Sequence, residues 1–391
     1  MTIYVDPAAR PGRAPIDEDY DERPLGKHRD PLWAKVCIIL GALVMVVSGA
    51  AVVLPKVLAA WATDDINKED LLPPELVAKN IDGPINILLL GMDERTGNGD
   101  LIRTDTIMIA HIPATHDSVY LVSLPRDTKV EIPSFEQTGY LGGTDKINAA
   151  FAIANRTRSP NGGWVGDPTT AGRQRGVGLV AQTVSNLVPG GLQFNAVAII
   201  NFNGFRNILK AIGGVDMCVD VETRSVHYDR NNKYHTNEVP YANRKIYKKG
   251  CYHMAPSEAL DFARQRHFDD GDYTRQRHQQ QLLMAIFKKM MSKGVLADPG
   301  KLLELQKTAG DLLTMDLGAT AIADWVFTLK GLRGDSVVPI KTNGGNVTPD
   351  SDPTTSYQVL SQDSLDLLKS VKEDKVYGFL VRHPTWIANS K

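Results

Sequence analysis

Residues 85–127 read INILLLGMDERTGNGDLIRTDTIMIAHIPATHDSVYLVSLPRD and contain three apolar runs that are separated by turn residues. The runs are INILLLG (85–91), TIMIAHI (106–112) and SVYLVSL (118–124). Short β-branched apolar runs between turn signals are typical of core strands of a sheet. We therefore expect these three segments to form the core of the sheet.

Helical and strand-like segments alternate over the rest of the chain. Strand patterns are expected at 196–201, 215–221 and 336–340, and helical patterns at 176–188, 204–212, 300–313, 318–331 and 361–374. Ser257 is expected to cap a helix that begins at Glu258. The glycine- and arginine-rich stretch 155–176 predicts a long irregular connection. The pattern predicts an α/β or mixed α+β fold, with a central mixed β-sheet flanked by helices.

The N-terminal region contains a candidate membrane span at residues 36–54, which are nineteen residues without a charge. Six basic residues precede it, whereas the twenty residues after it hold only Lys56 and Lys68. This asymmetry predicts a cytoplasmic N-terminus. A cleaved signal peptide, with Ala60 to Ala62 at the cleavage site, is the alternative, and either reading places the later residues outside the cytoplasm. We expect a disordered cytoplasmic tail (1–35), a single-pass membrane helix (36–54), a linker (55–80) and one extracytoplasmic domain (81–391).

The cysteine count allows one disulfide outside the membrane. Cys37 falls in the expected span, which leaves Cys218 and Cys251 in a compartment where disulfides persist. A bridge between them would close a polar, basic stretch that shows little apolar periodicity. We predict the bridge, and two buried, unpaired thiols are the alternative.

Charged residues cluster at the ends of the expected strands and in one later segment. Asp93, Arg103, Asp105, Arg126 and Asp127 lie next to the three apolar runs, and ligands of open α/β sheets collect at strand ends. Each short motif alone is more often a turn with a salt bridge. The later segment holds Arg264, Arg266, Asp272, Arg275 and Gln279. A helix from residue 272 would put the last three on one face, and a solvated face with ion pairs is the alternative.

Six ordered motifs between residues 84 and 290 resemble those of the LytR-CpsA-Psr family. They are INILLLGMDER, RTDTIMIAHI, VYLVSLPRDT, DKINAAFA, the turn Gly213-Gly214-Val215-Asp216 and ALDFARQRHFDDGDYTRQRHQQQ. A single membrane helix before the domain is also that family's arrangement. One departure is His278, which stands where an arginine commonly precedes the glutamine. This departure argues against a phosphate contact at position 278 and leaves the other motif positions unaffected.

The resemblance implies a membrane-anchored phosphotransferase that attaches a polyprenyl-pyrophosphate-linked glycopolymer to a muramic acid hydroxyl of peptidoglycan. It also implies Mg²⁺, with Mn²⁺ as the alternative, held by Asp93 and Asp105. The residues that we expect in catalysis are Arg126, Asp127, Arg266, Asp272 and Arg275, and those expected in substrate binding are Arg103, Lys146, Arg264 and Gln279; all of these except Asp127 match the family's motif positions. Asp127 or Asp272 would orient an arginine or accept the proton of the acceptor.

Elementary chemistry agrees with this reading. A pyrophosphate diester carries two negative charges, and phosphoryl transfer is catalysed mainly by positioning and charge stabilisation. Arginine grips two phosphate oxygens at once, which favours it over lysine. The sequence holds no Gly-x-Ser-x-Gly elbow, zinc-spaced cluster or Walker loop, which argues against a serine hydrolase, a zinc enzyme or a nucleotidase. Pyrophosphate hydrolysis and a non-catalytic membrane-bound scaffold for lipid-linked glycopolymer are the alternatives, and no nucleic-acid partner is expected.

Overall fold

The computed structural model of the chain describes residues 67–92, 101–266, 268–270, 272–292, 313–318, 320, 324–325, 328–352 and 354–388. The chain divides into two compact units, 1–54 and 55–391, and all of the described residues belong to the second. The expected membrane span and Asp93 lie outside the described residues. None of the described helices is both long and apolar enough to cross a membrane.

Fifteen strands are described. They are β1 (Asn67–Lys68), β2 (Ile85–Met92), β3 (Thr104–Ile112), β4 (Val119–Leu124), β5 (Lys129–Ile132), β6 (Gly143–Lys146), β7 (Arg156–Arg158), β8 (Trp164–Gly166), β9 (Ala196–Asn201), β10 (Val215–Val219), β11 (Thr223–Asp229), β12 (Arg244–Tyr247), β13 (Gly250–Met254), β14 (Leu313–Asp316) and β15 (Val337–Lys341). The described helices are α1 (Ala149–Asn155), α2 (Thr170–Ser185), α3 (Phe202–Ala211), α4 (Pro256–Arg264), α5 (Tyr273–Ser292), α6 (Gln362–Lys372) and α7 (Val376–Arg382).

The central sheet has the order β1-β14-β9-β2-β3-β4-β15 and is mixed. Strand β3 runs antiparallel to both β2 and β4, whereas β9 is parallel to β2 and β15 is parallel to β4. The three apolar runs therefore form adjacent strands in the middle of the sheet, as the sequence predicts. The mixed α/β fold with a central mixed sheet flanked by helices is confirmed.

Alternate side chains of each strand point to opposite faces of the sheet. Both faces are buried, each against its own core. Leu88, Ile107 and Val122 share one core with residues of α1, α2, α6 and α7. Ile85 and Leu121 belong to a second core on the other face, against which side chains of α5 pack. A Cβ on Gly176 of α2 would lie 2.6 Å from the Phe151 ring of α1, so this glycine allows the two helices to approach closely.

A third core lies outside the sheet and joins α3, α4 and α5 to β10. Leu209, Val215, Phe262 and Leu282 are buried together there. Strand β10 pairs with β13, and their register sets Cys218 directly opposite Cys251. The two cysteines form a disulfide, so the predicted bridge is confirmed. It closes a segment that holds the β11–β12 pair.

The double variant Cys218→Ser/Cys251→Ser is expected to lose about 3–4 kcal/mol of unfolding free energy. The physical reason is that the bridge spans 33 positions, and its loss restores the conformational entropy of that loop in the unfolded chain. Urea unfolding of the oxidised wild type and of the variant measures the difference. Reductant should destabilise the wild type alone. Equal stability of the two proteins without reductant would contradict the prediction.

The structure corrects several local expectations. Helix α4 begins after Ala255 rather than at Ser257, because Pro256 takes the first helical position and the Glu258 carboxylate accepts the amide of Ala255. The stretch 155–176 is not irregular, because β7 and β8 pair within it and α2 already starts at residue 170. Buried Leu71, Leu72 and Leu76 place the second half of the expected linker inside the domain. The helix expected at 300–313 lies almost wholly outside the described residues.

Candidate functional site

Asp105 and Arg126 meet at one edge of the central sheet because of the β3–β4 register. Ile107 pairs with Leu124, so two further residues along each strand bring Asp105 opposite Arg126. Arg126 donates from Nη1 to Asp105 Oδ1 over 2.9 Å. The Asp105 side chain is 13% exposed and the Arg126 side chain is 25% exposed, so the pair is partly open to solvent.

Two further arginines from distant segments reach the same aspartate. Arg266 follows α4 and donates from Nη2 to Asp105 Oδ2 over 2.6 Å. Arg275, in the first turns of α5, donates from Nη2 to the backbone carbonyl of Asp105 over 3.2 Å. Two guanidinium groups thus contact the Asp105 carboxylate, and a third contacts the backbone carbonyl of the same residue. Asp105, Arg126, Arg266 and Arg275 are called the arginine cluster below.

Arg275 is buried and is held by its own helix. Its side chain is 2% exposed, and Nη2 lies 2.7 Å from Oδ1 of Asp272. Gln276 also donates to Asp272, over 3.2 Å. The expected helix begins at Tyr273, directly after Asp272, and the contact between Asp272 and Arg275 shows that these two side chains lie on the same side of it. The buried Nε of Arg275 has no hydrogen-bond partner among the described residues, which leaves a donor for an incoming acceptor.

The electrostatics of the arginine cluster combine ion pairing to Asp105 with repulsion between the arginines. Burial alone would raise the pKa of Asp105, but Arg126, Arg266 and Arg275 outweigh it and lower that pKa. Burial lowers the pKa of Arg275, and repulsion from Arg266 and Arg126 adds to this effect. Burial opposes the charge of Arg126 as well, yet Asp105 raises its pKa overall. An added anion would relieve this repulsion.

Asp127 and Lys146 form a second ion pair beside the cluster. Lys146 lies at the end of β6, and its Nζ is 2.9 Å from Asp127 Oδ1 and 2.7 Å from Ser356 Oγ. Arg126 Nε is 3.6 Å from Asp127 Oδ2, so Asp127 links the lysine to the arginine cluster. Ser356 was not identified from the sequence, because no local pattern marks a hydroxyl 210 residues from its partner.

The remaining expected residues differ in their placement. Arg103 is exposed and forms no ion pair with a described residue. Arg264 ends α4, and its charge acts on Asp261. Gln279 is partly buried on α5, and its Oε1 has no hydrogen-bond partner within the described part of the chain. Asp93 lies outside the described residues.

His278 is held by structural partners. Its Nε2 lies 2.8 Å from Asp220 Oδ1, and its ring stacks on Phe262 with the centroids 4.1 Å apart. Burial lowers the pKa of His278, while Asp220 opposes the shift. Arg277 also donates to Asp220, over 2.7 Å. These contacts give His278 a structural role.

Asp105 has the chemistry for one carboxylate ligand of a magnesium ion. A carboxylate offers about four acceptor positions, and two on Asp105 receive guanidinium protons. Within the described ranges, no group of three or more His, Cys, Asp or Glu residues could hold a metal ion. Magnesium commonly keeps several waters and takes one or two carboxylates together with substrate phosphates. Among the described residues, Asp105 thus offers one carboxylate of the kind that Mg²⁺ takes together with substrate phosphates.

Comparison with known proteins gives matches over most of the chain. The family described as LytR_cpsA_psr family matches residues 58–373. The probable cell wall biosynthesis protein LcpB of Corynebacterium glutamicum is 29% identical over 306 residues, 75% of this chain and 62% of the relative. The polyisoprenyl-teichoic acid–peptidoglycan teichoic acid transferase TagU of Bacillus cereus is 32% identical over 235 residues, 60% of this chain and 62% of that relative.

The alignments thus span about 62% of the length of these curated relatives. Among solved structures, TagT bound to LI-WTA aligns with a TM-score of 0.54 at 21% identity and covers 78% of this chain and 96% of that chain. This similarity supports the fold.

Proposed function

Because the chain belongs to the LytR_cpsA_psr family, we propose that it transfers a polyprenyl-pyrophosphate-linked cell-wall glycopolymer onto peptidoglycan. The relative TagU is named as a transferase of teichoic acid to peptidoglycan, and LcpB as a cell wall biosynthesis protein. Both names support a reaction of this class.

The observation that carries the proposal is the convergence of three arginines on Asp105. Arg126 lies two residues after β4, Arg266 lies two residues after α4, and Arg275 lies in the first turn of α5. The three arginines face the carboxylates of Asp105, Asp127 and Asp272, and Lys146 adds one further cation, so the site carries one excess positive charge. A pyrophosphate would bring two negative charges and several acceptor oxygens to arginines that repel one another.

In the proposed reaction, a hydroxyl of peptidoglycan attacks the phosphorus that bears the glycopolymer. The bond from that phosphorus to the bridging oxygen breaks, polyprenyl phosphate leaves with the electron pair, and a phosphodiester forms. Arg126, Arg266 and Arg275 bind the pyrophosphate oxygens and stabilise the charge that develops on them. Asp272 orients Arg275 through the 2.7 Å contact, and Asp127 orients Lys146. The hydroxyl proton leaves during the attack, with Asp127 as the proposed acceptor.

Magnesium belongs to the proposal as a cofactor, with Mn²⁺ as a substitute. Asp105 would contribute a carboxylate oxygen, and Asp93 is the second proposed ligand from the sequence. When bound, the ion would neutralise charge on the phosphate oxygens. The described residues then have the remaining tasks of binding the donor, holding the arginines in place and positioning the acceptor.

The proposal includes a membrane location. A lipid-linked donor lies in the membrane, and residues 36–54 have the composition of a single span whose charge asymmetry favours an extracytoplasmic domain. A single-pass anchor would keep the arginine cluster close to the donor. Digestion of intact spheroplasts with an external protease tests this arrangement, and protection of residues after 56 would contradict it.

Transfer by the purified full chain tests the function. The donor is a labelled oligosaccharide on polyprenyl pyrophosphate, and the acceptor is a mixture of soluble peptidoglycan fragments. We expect a phosphodiester-linked product, detected by mass spectrometry, together with polyprenyl phosphate. We expect transfer to fall to background in excess chelator and to return with Mg²⁺, because developing negative charge loses its metal partner.

Three outcomes would contradict parts of the proposal. Release of sugar phosphate without a peptidoglycan product would indicate pyrophosphate hydrolysis. Tight donor binding with neither product would indicate a scaffold. Undiminished transfer in excess chelator would remove the metal role and leave the arginine cluster as the charge-stabilising group.

A further inference from the structure

Residues 223–249, called the basic arm below, form a charged surface outside the arginine cluster. The segment contains seven lysines and arginines against two acidic residues, although the whole chain has a net charge of −1. Strands β11 and β12 pair within it, and the disulfide Cys218–Cys251 lies just beyond its two ends. The excess of basic charge is therefore held in one folded and covalently closed segment.

Four of the seven cations have exposed side chains and form no ion pair with any residue that the structure describes. These are Arg230, Lys233, Lys248 and Lys249. The other three have acidic partners, which are Glu222 for Arg224, Glu238 for Arg244 and Glu258 for Lys245. The three glutamates are thus engaged by other cations of the arm, and the four remaining cations have no acidic partner among the described residues.

Asp229 is the acidic residue nearest in sequence to Arg230 and Lys233, but its carboxylate contacts other groups. The Asp229 carboxylate accepts the backbone amides of Asn231 and Lys233 over 2.9 and 3.0 Å, and its Oδ2 lies 2.9 Å from His235 Nε2. These contacts order the turn from 229 to 235. The side chains of Arg230 and Lys233 are therefore presented by a turn with fixed geometry.

Exposed tyrosines accompany the cations. Tyr234 is 54% exposed and packs edge-on against Tyr228 with the centroids 5.4 Å apart. Tyr241 is 66% exposed, and the guanidinium groups of Arg224 and Arg244 lie 4.8 and 5.8 Å from its ring centroid. Rings of this kind have one supported side and offer the rest of their surface to a ligand.

The base of the arm is attached to the segments that carry two members of the arginine cluster. Gln265 precedes Arg266, and its Oε1 accepts the backbone amide of Val226 over 2.9 Å. Gln281 of α5 donates to the carbonyl of Cys218 over 3.0 Å. The arm is therefore hydrogen-bonded to the residue next to Arg266, and the disulfide just beyond its ends is hydrogen-bonded to the helix that carries Arg275.

We propose that the basic arm binds the peptidoglycan acceptor and guides its hydroxyl toward the arginine cluster. Peptidoglycan combines carboxylates on its stem peptides with sugar rings that have apolar faces. The unpaired cations complement the carboxylates, and Tyr234 and Tyr241 complement the sugar faces. The inference rests on the proposed function for the identity of the acceptor.

Binding of soluble peptidoglycan fragments to the full chain, measured without donor, tests the inference. The variant Arg230→Glu/Lys233→Glu is expected to weaken fragment binding about tenfold or more, because two attractive charges become repulsive. Tyr241→Ala is expected to weaken it about threefold to tenfold by loss of stacking. In transfer assays the KM for the acceptor should rise in both variants, whereas the KM for the donor should not.

The matched control is Lys79→Glu/Arg333→Glu, which makes the same charge change at two exposed positions. These residues precede β2 and β15, at the sheet edge opposite the arginine cluster. The control should bind fragments as the wild type does. An equal loss in the control, or unchanged binding by the arm variants, would overturn the inference.

Vesicles of equal parts phosphatidylglycerol and phosphatidylethanolamine provide a further comparison. If the arm variants lose vesicle binding and keep fragment binding, the arm contacts lipid and the inference fails. A rise in the donor KM alone would also overturn it. Loss of fragment binding in a chain that shows no transfer would support the arm while contradicting the proposed function, so the two failures are distinguishable.

Discussion

Replacement of Arg275 by methionine is expected to slow glycopolymer transfer by about a hundredfold or more. Its guanidinium is buried, is aligned by Asp272 and contacts the backbone of Asp105, and its Nε has no partner among the described residues. In the proposed reaction such a group would be preorganised for charge that develops on a phosphate oxygen. Methionine keeps much of the side-chain volume and removes the donors, so the loss should appear in transfer. The measurement is the initial rate with labelled donor at a subsaturating concentration.

Arg175→Met serves as the matched control for this prediction. Arg175 lies on α2 and pairs with Asp167 over 2.7 Å, outside the arginine cluster. Its replacement should leave transfer per folded molecule within about twofold, since a partly exposed ion pair contributes little. Arg275→Lys should be intermediate, because lysine retains the charge but not the two-pronged geometry. Wild-type transfer by Arg275→Met would show that Arg275 has a structural role only.

The central strands could be predicted from sequence because burial on both faces imposes a strong pattern. The runs 85–91, 106–112 and 118–124 match β2, β3 and β4 within two residues. The order of the sheet could not be predicted in the same way. The parallel pairing of β4 with β15 joins residues more than two hundred positions apart, and no local pattern encodes that contact.

Two local predictions, for the stretch 155–176 and for the helix cap at Ser257, were wrong because residue type alone favoured another structure. The five glycines in 155–176 favour an irregular loop, yet Gly172 and Gly176 belong to α2. A side chain at Gly172 would collide with Asp167, and one at Gly176 with Phe151, so packing explains both glycines. Ser257 has the residue type of a helix cap, but Pro256 fixes the first helical position before it.

The candidate site was predictable as a set of residues and not as a geometry. The sequence motifs identified Asp105, Arg126, Arg266 and Arg275 but gave no distances between them. The β3–β4 register accounts for the first pair, and the two arginines of later segments arrive through the packing of α4 and α5. The sequence assigned Asp105 to a metal alone. The structure adds that its carboxylate already accepts two guanidinium groups.

Asp105→Asn is therefore expected to lower stability as well as transfer. Asparagine preserves the shape of the side chain but leaves Arg126, Arg266 and Arg275 without their shared anion. We expect a loss of about 1–3 kcal/mol of unfolding free energy at pH 7, since the pair is partly open to solvent. Transfer should fall by about a hundredfold or more, because pyrophosphate positioning and the proposed metal ligand are lost together.

The stability difference should depend on pH in a defined direction. The three arginines hold the pKa of Asp105 below its ordinary value, against the opposing effect of burial. A carboxylate with a lowered pKa stabilises the fold at any pH above its unfolded pKa of about 3.9, and this contribution disappears as the pH falls through the lowered pKa. Urea unfolding of wild type and Asp105→Asn should therefore differ at pH 7 and converge in acid.

The control variant Asp167→Asn separates the effect of Asp105→Asn on stability from its effect on transfer. Asp167 also accepts an arginine, Arg175, and its pKa is lowered through Thr169 and Arg175 against the effect of burial. Its replacement should reduce stability at pH 7 with the same pH dependence, yet leave transfer per folded molecule near the wild-type rate. If Asp105→Asn behaves as Asp167→Asn does, the carboxylate is a structural partner of the arginines. If it alone abolishes transfer, the carboxylate acts in the chemistry that the arginine cluster supports.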